Sequence, residues 1–196
     1  MIGYPNRKVM PTPAVKAQDN HMGRGMSLEN DLNDSNAYYC SCDRALIHKK
    51  PTPIQVVKVD YPERSAAKIT EAYYKTPSTT DYNGIYRGRA IDFEAKETRQ
   101  KTSFPFKSIH PHQIEHLKKV IQHGGIGFFI IRFPCFEETY LIDAAILIDM
   151  YYEGERKSIS YMKVKEVGSL IRMGLTPRLC YLDNVDALYF KEEKSY

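Results

Sequence analysis

Residues 90–97, AIDFEAKE, combine two carboxylates and a lysine in a pattern that suits an extended strand. Side chains alternate across a β-strand, so Asp92, Glu94 and Lys96 share one face while apolar residues share the other. Two carboxylates on alternate residues repel each other unless a cation lies near them, and hard oxygen ligands suit Mg²⁺ or Mn²⁺. The pattern therefore predicts a divalent-metal site, with Lys96 placed to stabilise a phosphate. The alternative is an exposed strand on which Glu94 pairs with Lys96.

A further carboxylate lies on the other arm of a hairpin predicted over TTDYNGIYRGRAIDFEAKE. Asp81 lies near the start of that hairpin and is placed to supply another metal ligand. Asn83-Gly84 is a strong signal for the turn, and Arg87-Gly88 offers a second one. The apolar residues around the charged positions favour a central strand over an edge strand.

The elements before the hairpin must hold it in place. A helix is predicted to begin after Ser27, whose hydroxyl caps it, with Glu29 in its first turn. Its apolar side is formed by Leu28, Leu32 and Tyr39. Residues 45–61 then form two short extended pieces broken by Pro51 and Pro53.

Between these pieces and the hairpin, residues 62–80 are predicted to project from the fold as an excursion. Its apolar residues have the spacing of a helical stripe: Ala66, Ala67, Ile69, Ala72 and Tyr73. Its basic residues are expected to be exposed: Arg64, Lys68 and Lys75.

The centre of the chain alternates between strand and helix. HPHQIEHLKKVIQHGG, residues 110–125, predicts an amphipathic helix that ends at its Gly-Gly pair. IGFFIIRF, residues 126–133, is a continuous apolar run typical of a strand buried on both faces. Residues 90–133 therefore imply an α/β fold with a central mixed sheet flanked by helices. A strand and a helix capped by Asp143 follow, then a last helix from near Ser160 and a final short strand at RLCYL.

Composition limits the functions to consider. The 196 residues, 42% of them hydrophobic, are enough for one domain with a hydrophobic core. The net charge is +4, with the basic excess in residues 1–135, which fits a polyanionic partner.

Residues 1–24 are interpreted as a flexible basic arm and residues 25–196 as a single domain. The absence of a signal peptide or a membrane-spanning run favours the cytoplasm. The four cysteines lack zinc-site spacing and are expected to be free thiols.

Asp81 followed by Glu94-Ala95-Lys96 resembles the PD-(D/E)XK signature of a nuclease superfamily. Longer stretches are more specific: GRGMSLENDL, IHKKPTPIQVVKVDYPERSAAKITEAYY, STTDYNGIYRGRAIDFEAKETRQKTSFPF, HQIEHL and HGGIGFFIIRF. Together they resemble the RecU family, the Holliday junction resolvases of Gram-positive bacteria. The resemblance covers residues 23–190, nearly all of the chain outside the arm.

The resemblance implies a restriction-endonuclease-like core and a homodimer that cuts four-way DNA junctions symmetrically with Mg²⁺, for which Mn²⁺ can substitute. Asp81 and Glu94 would be metal ligands, helped by the carbonyl of Ala95. Lys96 would orient or activate the attacking water, or stabilise the pentavalent phosphate. Glu29 matches an acidic residue that many nucleases of the superfamily place near the metal.

Two further residues are candidates with weaker support. Gln113 matches a superfamily position that contacts the metal, water or phosphate. Asp92 shares the face of Glu94 and is a candidate metal ligand, but the family motif does not require it and it ranks below Asp81. Three histidines near the start of the same helix are interpreted as solvated residues in preference to a transition-metal site: His110, His112 and His116.

The excursion, about residues 58–80, corresponds to the family's stalk, a projection that enters the open centre of a junction. Arg64 matches a stalk arginine associated with junction binding. Tyr73 and Tyr74 either stack on splayed bases or pack the stalk, and packing is favoured. Further DNA-binding candidates are Arg24, Lys49, Lys68, Lys75, Thr79 and Thr80.

Two other functions are alternatives to a resolvase: a restriction or repair nuclease that cuts linear duplex, and a structural protein that binds junctions without cutting. The stalk argues against the first, because duplex DNA has no open centre to receive it. The paired carboxylates argue against the second. The resemblance also suggests RecA and the RuvAB branch-migration motor as partners, and an association with the nucleoid.

Overall fold

The computed structural model describes residues 27–63, 66–75, 79–154 and 157–190. These residues contain five α-helices: α1 (Leu28–Ser41), α2 (Pro111–Gln122), α3 (Ala144–Glu153), α4 (Tyr161–Val167) and α5 (Tyr181–Tyr189). They contain ten β-strands: β1 (Leu46–Lys49), β2 (Ile54–Asp60), β3 (Lys68–Tyr74), β4 (Tyr82–Tyr86), β5 (Arg89–Glu97), β6 (Ser103–Pro105), β7 (Ile126–Phe133), β8 (Glu138–Asp143), β9 (Ser158–Ser160) and β10 (Ser169–Leu170). The predicted N-terminal arm, with Arg24, and the predicted stalk residue Arg64 lie outside the described residues.

A six-stranded sheet, in the order β1-β4-β5-β7-β8-β10, forms the centre of the fold. β5 and β7 are parallel neighbours, and α2 makes the crossover between them. The other strand pairs of this sheet are antiparallel. The predicted α/β fold with a central mixed sheet is confirmed, and so is the interior position of the charged strand β5. Two short ribbons, β2–β3 and β6–β9, lie outside the sheet.

Helices cover both faces of the sheet. On one face, α1 and α5 pack over Phe93 of β5 and Phe128 of β7. On the other face, α2, α3 and α4 pack over Phe129 and Ile131 of β7. Every residue of β7 is buried, as its continuous apolar run predicted. A strand covered on both faces belongs in the middle of the sheet, and its parallel partner β5 is held there with it.

The first helix begins where its capping residue predicted. The Ser27 hydroxyl accepts a hydrogen bond at 3.3 Å from a backbone N–H in the first turn. Leu28, Leu32 and Tyr39 are buried on the inner side of α1, also as predicted. Glu29 is therefore fixed at the start of the helix, on its exposed side.

Arg87 and Gly88 form the turn of the β4–β5 hairpin, with φ values of 48° and 76°. The stronger turn signal, Asn83-Gly84, lies inside β4, so a turn at that position is wrong and the second alternative is confirmed. Gly84 is required there for a different reason. A Cβ at this position would lie 2.0 Å from the carbonyl oxygen of Leu46 in β1, so the two strands can approach only without it.

The excursion between β1 and β4 is a two-stranded antiparallel ribbon, β2–β3, in which Ile54 lies opposite Tyr74. All of β3 is exposed, and so is all of β2 except the half-buried Val59. The predicted helical stripe is therefore wrong. The segment is rich in β-branched and aromatic residues, which favour a strand when a neighbouring extended segment is there to pair with.

The C-terminal part has one more helix than predicted. α4 begins after Ser160, as expected. RLCYL forms no strand: it contributes an isolated bridge between Leu179 and Met173, and then α5 begins. The prediction of a final strand is wrong because Tyr181 and Leu182 lie on the apolar side of a helix that covers the sheet.

No helix among the described residues is long and apolar enough to cross a membrane. The cysteines are free thiols, of which Cys40, Cys42 and Cys135 are exposed and Cys180 is buried.

We expect Gly84→Ala to lower the free energy of unfolding by about 2–3 kcal/mol or more, because the new methyl group overlaps the backbone of β1. Gly88→Asn is the matched control, since its positive φ suits asparagine and the space around it is open; its cost should stay below about 1 kcal/mol. Denaturant unfolding of both variants checks this. Equal losses would show that β1 and β4 do not approach this closely.

Candidate active site

β5 separates core residues from charged residues by strand alternation. Phe93 stacks between Tyr82 of β4 and Phe128 of β7, with ring centroids 4.8 and 4.7 Å apart. This stack fills the face beneath α1 and α5. Asp92 and Glu94 therefore point to the opposite face, where α2 packs, as the alternation predicted.

Asp81 and Glu94 are adjacent in the structure. Tyr82 pairs with Phe93 across the hairpin, and this register places the preceding residue, Asp81, beside Glu94. The backbone N–H of Asp81 donates to Oε2 of Glu94 at 3.2 Å, and the N–H of Ala95 donates to Oδ2 of Asp81 at 3.4 Å. The hairpin thus brings together the three groups predicted to hold a metal.

Lys96 belongs to the same group. Its Nζ lies 2.6 Å from Oε1 of Glu94, whose side chain is completely buried. This oxygen is paired by charge with Lys96 but receives no hydrogen bond of good geometry. The Glu94–Lys96 pair, which the sequence offers as the alternative to a site, is therefore formed, but it lies inside a buried cluster with Asp81 and not on an exposed strand.

The electrostatics of Glu94 are unusual for a carboxyl group. Burial and then the neighbouring Asp81 carboxylate raise its pKa to about 7, although the positive charge of Lys96 opposes both effects. A second cation at this position would lower the cost of keeping both carboxylates charged. The site is therefore electrostatically suited to a metal ion.

Glu29 lines the same cleft as Asp81. The cleft has a volume of about 240 Å³ and opens at the end of the sheet where β5 finishes. Lys49, Ala95 and Glu97 also line it. Lys49 Nζ contacts Oε1 of Glu29 at 2.5 Å, so the helix carboxylate is neutralised by the last residue of β1.

Gln113 is buried at the start of α2, where it has a structural contact. Its side-chain oxygen accepts a hydrogen bond at 2.9 Å from the backbone N–H of His110 and closes a capping box. The structure thus accounts for this residue as a helix cap, and contact with a metal, water or phosphate stays a prediction.

The DNA-binding candidates fall in two groups. Lys68 and Lys75 are exposed, Lys68 at the start of β3 and Lys75 just past its end. Thr80 is buried and its hydroxyl donates to Asp92, which leaves this group turned away from solvent. Thr79 is half-buried beside it, and Lys49 lies in the cleft with Glu29.

Sequence reasoning missed Lys50. Its Nζ lies 2.9 Å from Oδ2 of Asp92. The consecutive pair Lys49-Lys50 indicated only that one lysine would lie on each face of the sheet, because neighbouring residues of a strand point to opposite faces. It did not indicate which carboxylate either lysine would contact.

Two of the three histidines lie close to charged groups. His116 was predicted to be solvated, which is wrong: it is partly buried, with Nε2 3.1 Å from Oδ2 of Asp92. Nε2 of His112 is buried without a hydrogen-bond partner. Burial lowers the pKa of His112, and the neighbouring charges of His110 and Lys96 lower it further.

The donor set of the site fits a hard divalent cation. Across the described ranges, no three His, Cys, Asp or Glu side chains are grouped so as to hold a metal ion. The site instead offers two carboxylates, Asp81 and Glu94, with the backbone carbonyl of Ala95 close by. Mg²⁺ is usually bound through one or two carboxylates and keeps several waters, so this incomplete protein shell suits it.

The mixed α/β fold, with Asp81, Glu94 and Lys96 brought together by one hairpin, agrees with the PD-(D/E)XK pattern that the sequence resembles. The chain belongs to the RecU family: the profile of this family, described as Recombination protein U, matches residues 23–187. The family resemblance found in the sequence is thereby confirmed.

Two relatives of similar sequence agree with the family assignment. The chain is 56% identical over 182 residues to Holliday junction resolvase RecU of Shouchella clausii, covering 92% of this chain and 86% of the relative. It is 51% identical over 197 residues to Holliday junction resolvase RecU of Bacillus mycoides, covering 96% and 98%. Among solved structures, Hjc, a Holliday junction resolvase of Archaeoglobus fulgidus, matches with a TM-score of 0.43 and 10% identity, over 72% of this chain and 94% of that one.

We expect Glu94→Gln to stabilise the metal-free protein at high pH. The pKa of Glu94 in the folded chain, about 7, lies above its ordinary value of 4.5, so the folded state holds an extra proton between these values. Stability from this group is therefore greatest below about pH 4.5 and falls as pH rises to about 7. In EDTA at about pH 8, the variant should gain roughly 1–3 kcal/mol over wild type, and the gain should vanish at about pH 5.

Denaturant unfolding at both pH values measures this difference. Glu97→Gln, which removes an exposed carboxylate from the same strand, is the control and should show no such pH dependence. A Glu94→Gln variant that is less stable than wild type at both pH values would show that the buried carboxylate is fully compensated in the fold.

Proposed function

We propose that this protein is a Holliday junction resolvase, a metal-dependent endonuclease that makes paired, symmetric nicks in four-way DNA junctions. The observation that carries the proposal is the cluster of Asp81, Glu94 and Lys96 at the end of a hairpin strand, in a chain that belongs to the RecU family. A protein that only binds DNA has no use for a buried carboxylate held beside a second one.

The metal would be held by Asp81 and Glu94, with the carbonyl of Ala95. We propose Mg²⁺, with Mn²⁺ as a substitute, because all these donors are hard oxygens. Glu29 lines the same cleft as Asp81 and would bind water near the metal. When bound, the metal would lower the pKa of a water molecule and neutralise charge on the phosphate.

The chain's own groups would complete the reaction. Asp81 and Glu94 hold their carboxylates together at the end of the sheet, which fixes the direction from which a phosphate can approach. The ammonium group of Lys96 contacts the Glu94 carboxylate. Once another cation neutralises the carboxylates, this ammonium group would be able to contact the phosphate instead. There it would stabilise the negative charge that develops as water attacks in line with the leaving oxygen.

The β2–β3 ribbon is proposed to enter the open centre of the junction. It projects from the root of the hairpin that carries Asp81, and nearly all of its residues are exposed. Lys68 and Lys75 would meet phosphates, and Arg64 is proposed to join them. Tyr74 is 84% exposed and Tyr73 is 62% exposed, which supports stacking on bases over packing within this chain.

A homodimer would account for paired nicks, because a four-way junction has near-twofold symmetry and a twofold dimer presents two equivalent sites to it. We further propose that the protein works in the cytoplasm at the nucleoid, with RecA and RuvAB-type proteins as partners. The basic N-terminal arm, with Arg24, would add contacts to DNA.

We expect wild type to nick a synthetic four-way junction symmetrically with Mg²⁺ and to stop in EDTA. Glu94→Ala and Lys96→Met should each lower the cleavage rate by roughly 100-fold or more, because they remove a ligand and the charge at the phosphate. Junction binding in EDTA should stay within about threefold of wild type, since neither residue lies on the ribbon. Sequencing gels give the nicks, and fluorescence anisotropy gives the affinity.

Two controls separate the competing functions. Glu153→Ala removes an exposed carboxylate from α3 and should cleave like wild type. A linear duplex of the same sequence should resist cleavage. Equal cutting of that duplex would indicate a restriction or repair nuclease, and junction binding without any cut by wild type would indicate a structural junction-binding protein.

We expect Tyr74→Ala to weaken junction binding by roughly 5- to 100-fold, the loss of one stacked base, while duplex affinity is unchanged. Its stability should stay within about 0.5 kcal/mol of wild type, because the ring is exposed. Tyr152→Ala, which truncates an exposed tyrosine on α3, is the matched control. Anisotropy with both DNAs checks this, and equal loss of junction and duplex affinity would argue against a ribbon in the junction centre.

A further inference from the structure

Asp92 lies two residues before Glu94 on the same face of β5, and it is only 6% exposed. Its Oδ2 atom lies 2.9 Å from Lys50 Nζ and 3.1 Å from His116 Nε2. Its Oδ1 atom accepts a hydrogen bond from the Thr80 hydroxyl. Lys50 Nζ also donates to Oγ1 of Thr80 at 2.9 Å, so the lysine, the threonine and the carboxylate form a closed triangle.

Two of these partners are linked to Asp81. Thr80 directly precedes it in the chain, and the backbone N–H of Lys50 donates to the carbonyl oxygen of Asp81 at 2.7 Å. Lys50 is also the residue that leads out of β1 toward the ribbon, whereas Thr80 leads back from it. Asp92 thus ties both chain segments at the root of the ribbon to the strand that carries Glu94.

The third partner comes from a different element. His116 lies on α2, one turn beyond Gln113, and residues at this spacing share a helix face. The contact between His116 and Asp92 therefore fixes the first turns of α2 against β5. Through Asp92, the segments that carry Asp81, Glu94 and Gln113 are all joined.

The contacts of Asp92 leave neither of its carboxylate oxygens available to bind a metal ion. Both carboxylate oxygens contact protein donors, and the group is buried. A buried carboxylate paired with an ammonium group is strongly disrupted when either partner is removed, because the other is left uncompensated. This arrangement suits a residue that fixes the position of others better than a residue that exchanges its partners for a cation.

We propose that Asp92 is a positioning residue that holds the segments carrying Asp81 and Gln113 in place against the strand that carries Glu94, so that the cation site is formed before DNA binds. The inference rests on the proposed nuclease function and deepens it. Without Asp92, the segment that carries Asp81 loses its attachment to β5. Affinity for the cation and the rate of cleavage then fall together, while the ribbon keeps its surface for the junction.

The test compares Asp92→Ala, Thr80→Val and Lys50→Met with wild type in the full chain. Calorimetric titration of Mn²⁺ into DNA-free protein should show a 10- to 100-fold weaker affinity in each variant, about the loss typical of residues behind a metal ligand. Single-turnover cleavage at saturating junction should fall by a similar factor of about 10–100. Junction affinity in EDTA should stay within about threefold of wild type.

Three controls keep the test specific. Thr80→Ser keeps the hydroxyl, so its Mn²⁺ affinity and its cleavage rate should both stay within about threefold of wild type. Asp149→Asn neutralises an exposed carboxylate on α3 and should change neither quantity. Thermal unfolding of each variant reports on folding. If Asp92→Ala does not fold, the Thr80→Val and Thr80→Ser pair gives the answer.

Two results would overturn the inference. In one, Asp92→Ala abolishes Mn²⁺ binding while Thr80→Val and Lys50→Met bind and cleave like wild type, which would make Asp92 a direct ligand. In the other, all three variants match wild type. A wild-type protein that cleaves no junction would refute the proposed function instead, and the Mn²⁺ titrations would still decide the role of Asp92.

Discussion

The rings of Tyr82, Phe93 and Phe128 stack side by side on one face of three neighbouring strands. The strand register that goes with this stack is the constraint on which the site depends. Because side chains alternate along a strand, a shift of one residue would turn Glu94 into the core and Phe93 out of it. With the observed register, Asp81 meets Glu94 across the hairpin. The apolar interior therefore decides the geometry of the polar group beside it.

The cluster of Asp81, Glu94 and Lys96 is electrostatically unfavourable without a further cation. A completely buried Glu94 with its pKa raised to about 7 lies beside a second carboxylate, and Lys96 compensates only part of the charge. The fold tolerates this arrangement because the strands on either side of β5 are anchored by large buried clusters. A site that is costly to charge without a cation is well suited to bind one, which links the stability of the domain to its proposed chemistry.

The ribbon has the opposite character. A two-stranded hairpin with almost every residue exposed has little apolar burial to stabilise it. The position of the ribbon therefore depends on the contacts where it joins the rest of the domain. At that root, the segments around Lys50 and Thr80 meet Asp92, two residues from Glu94. The proposed DNA-binding ribbon and the proposed catalytic strand are therefore both attached through Asp92.

The sequence by itself determined the α/β class, the buried strand β7, the first helix with its cap, the split of β5 into charged and apolar faces, and the family. These features depend on local periodicity, capping chemistry and motif spacing. Tertiary structure decided the rest. Gly84 is inside a strand because β1 passes against it, residues 68–74 are extended because β2 pairs with them, and α5 forms at RLCYL because its apolar side covers the sheet. Likewise, Lys50 and His116 lie 42 and 24 residues from Asp92 along the chain, so no local pattern could have assigned either residue to it.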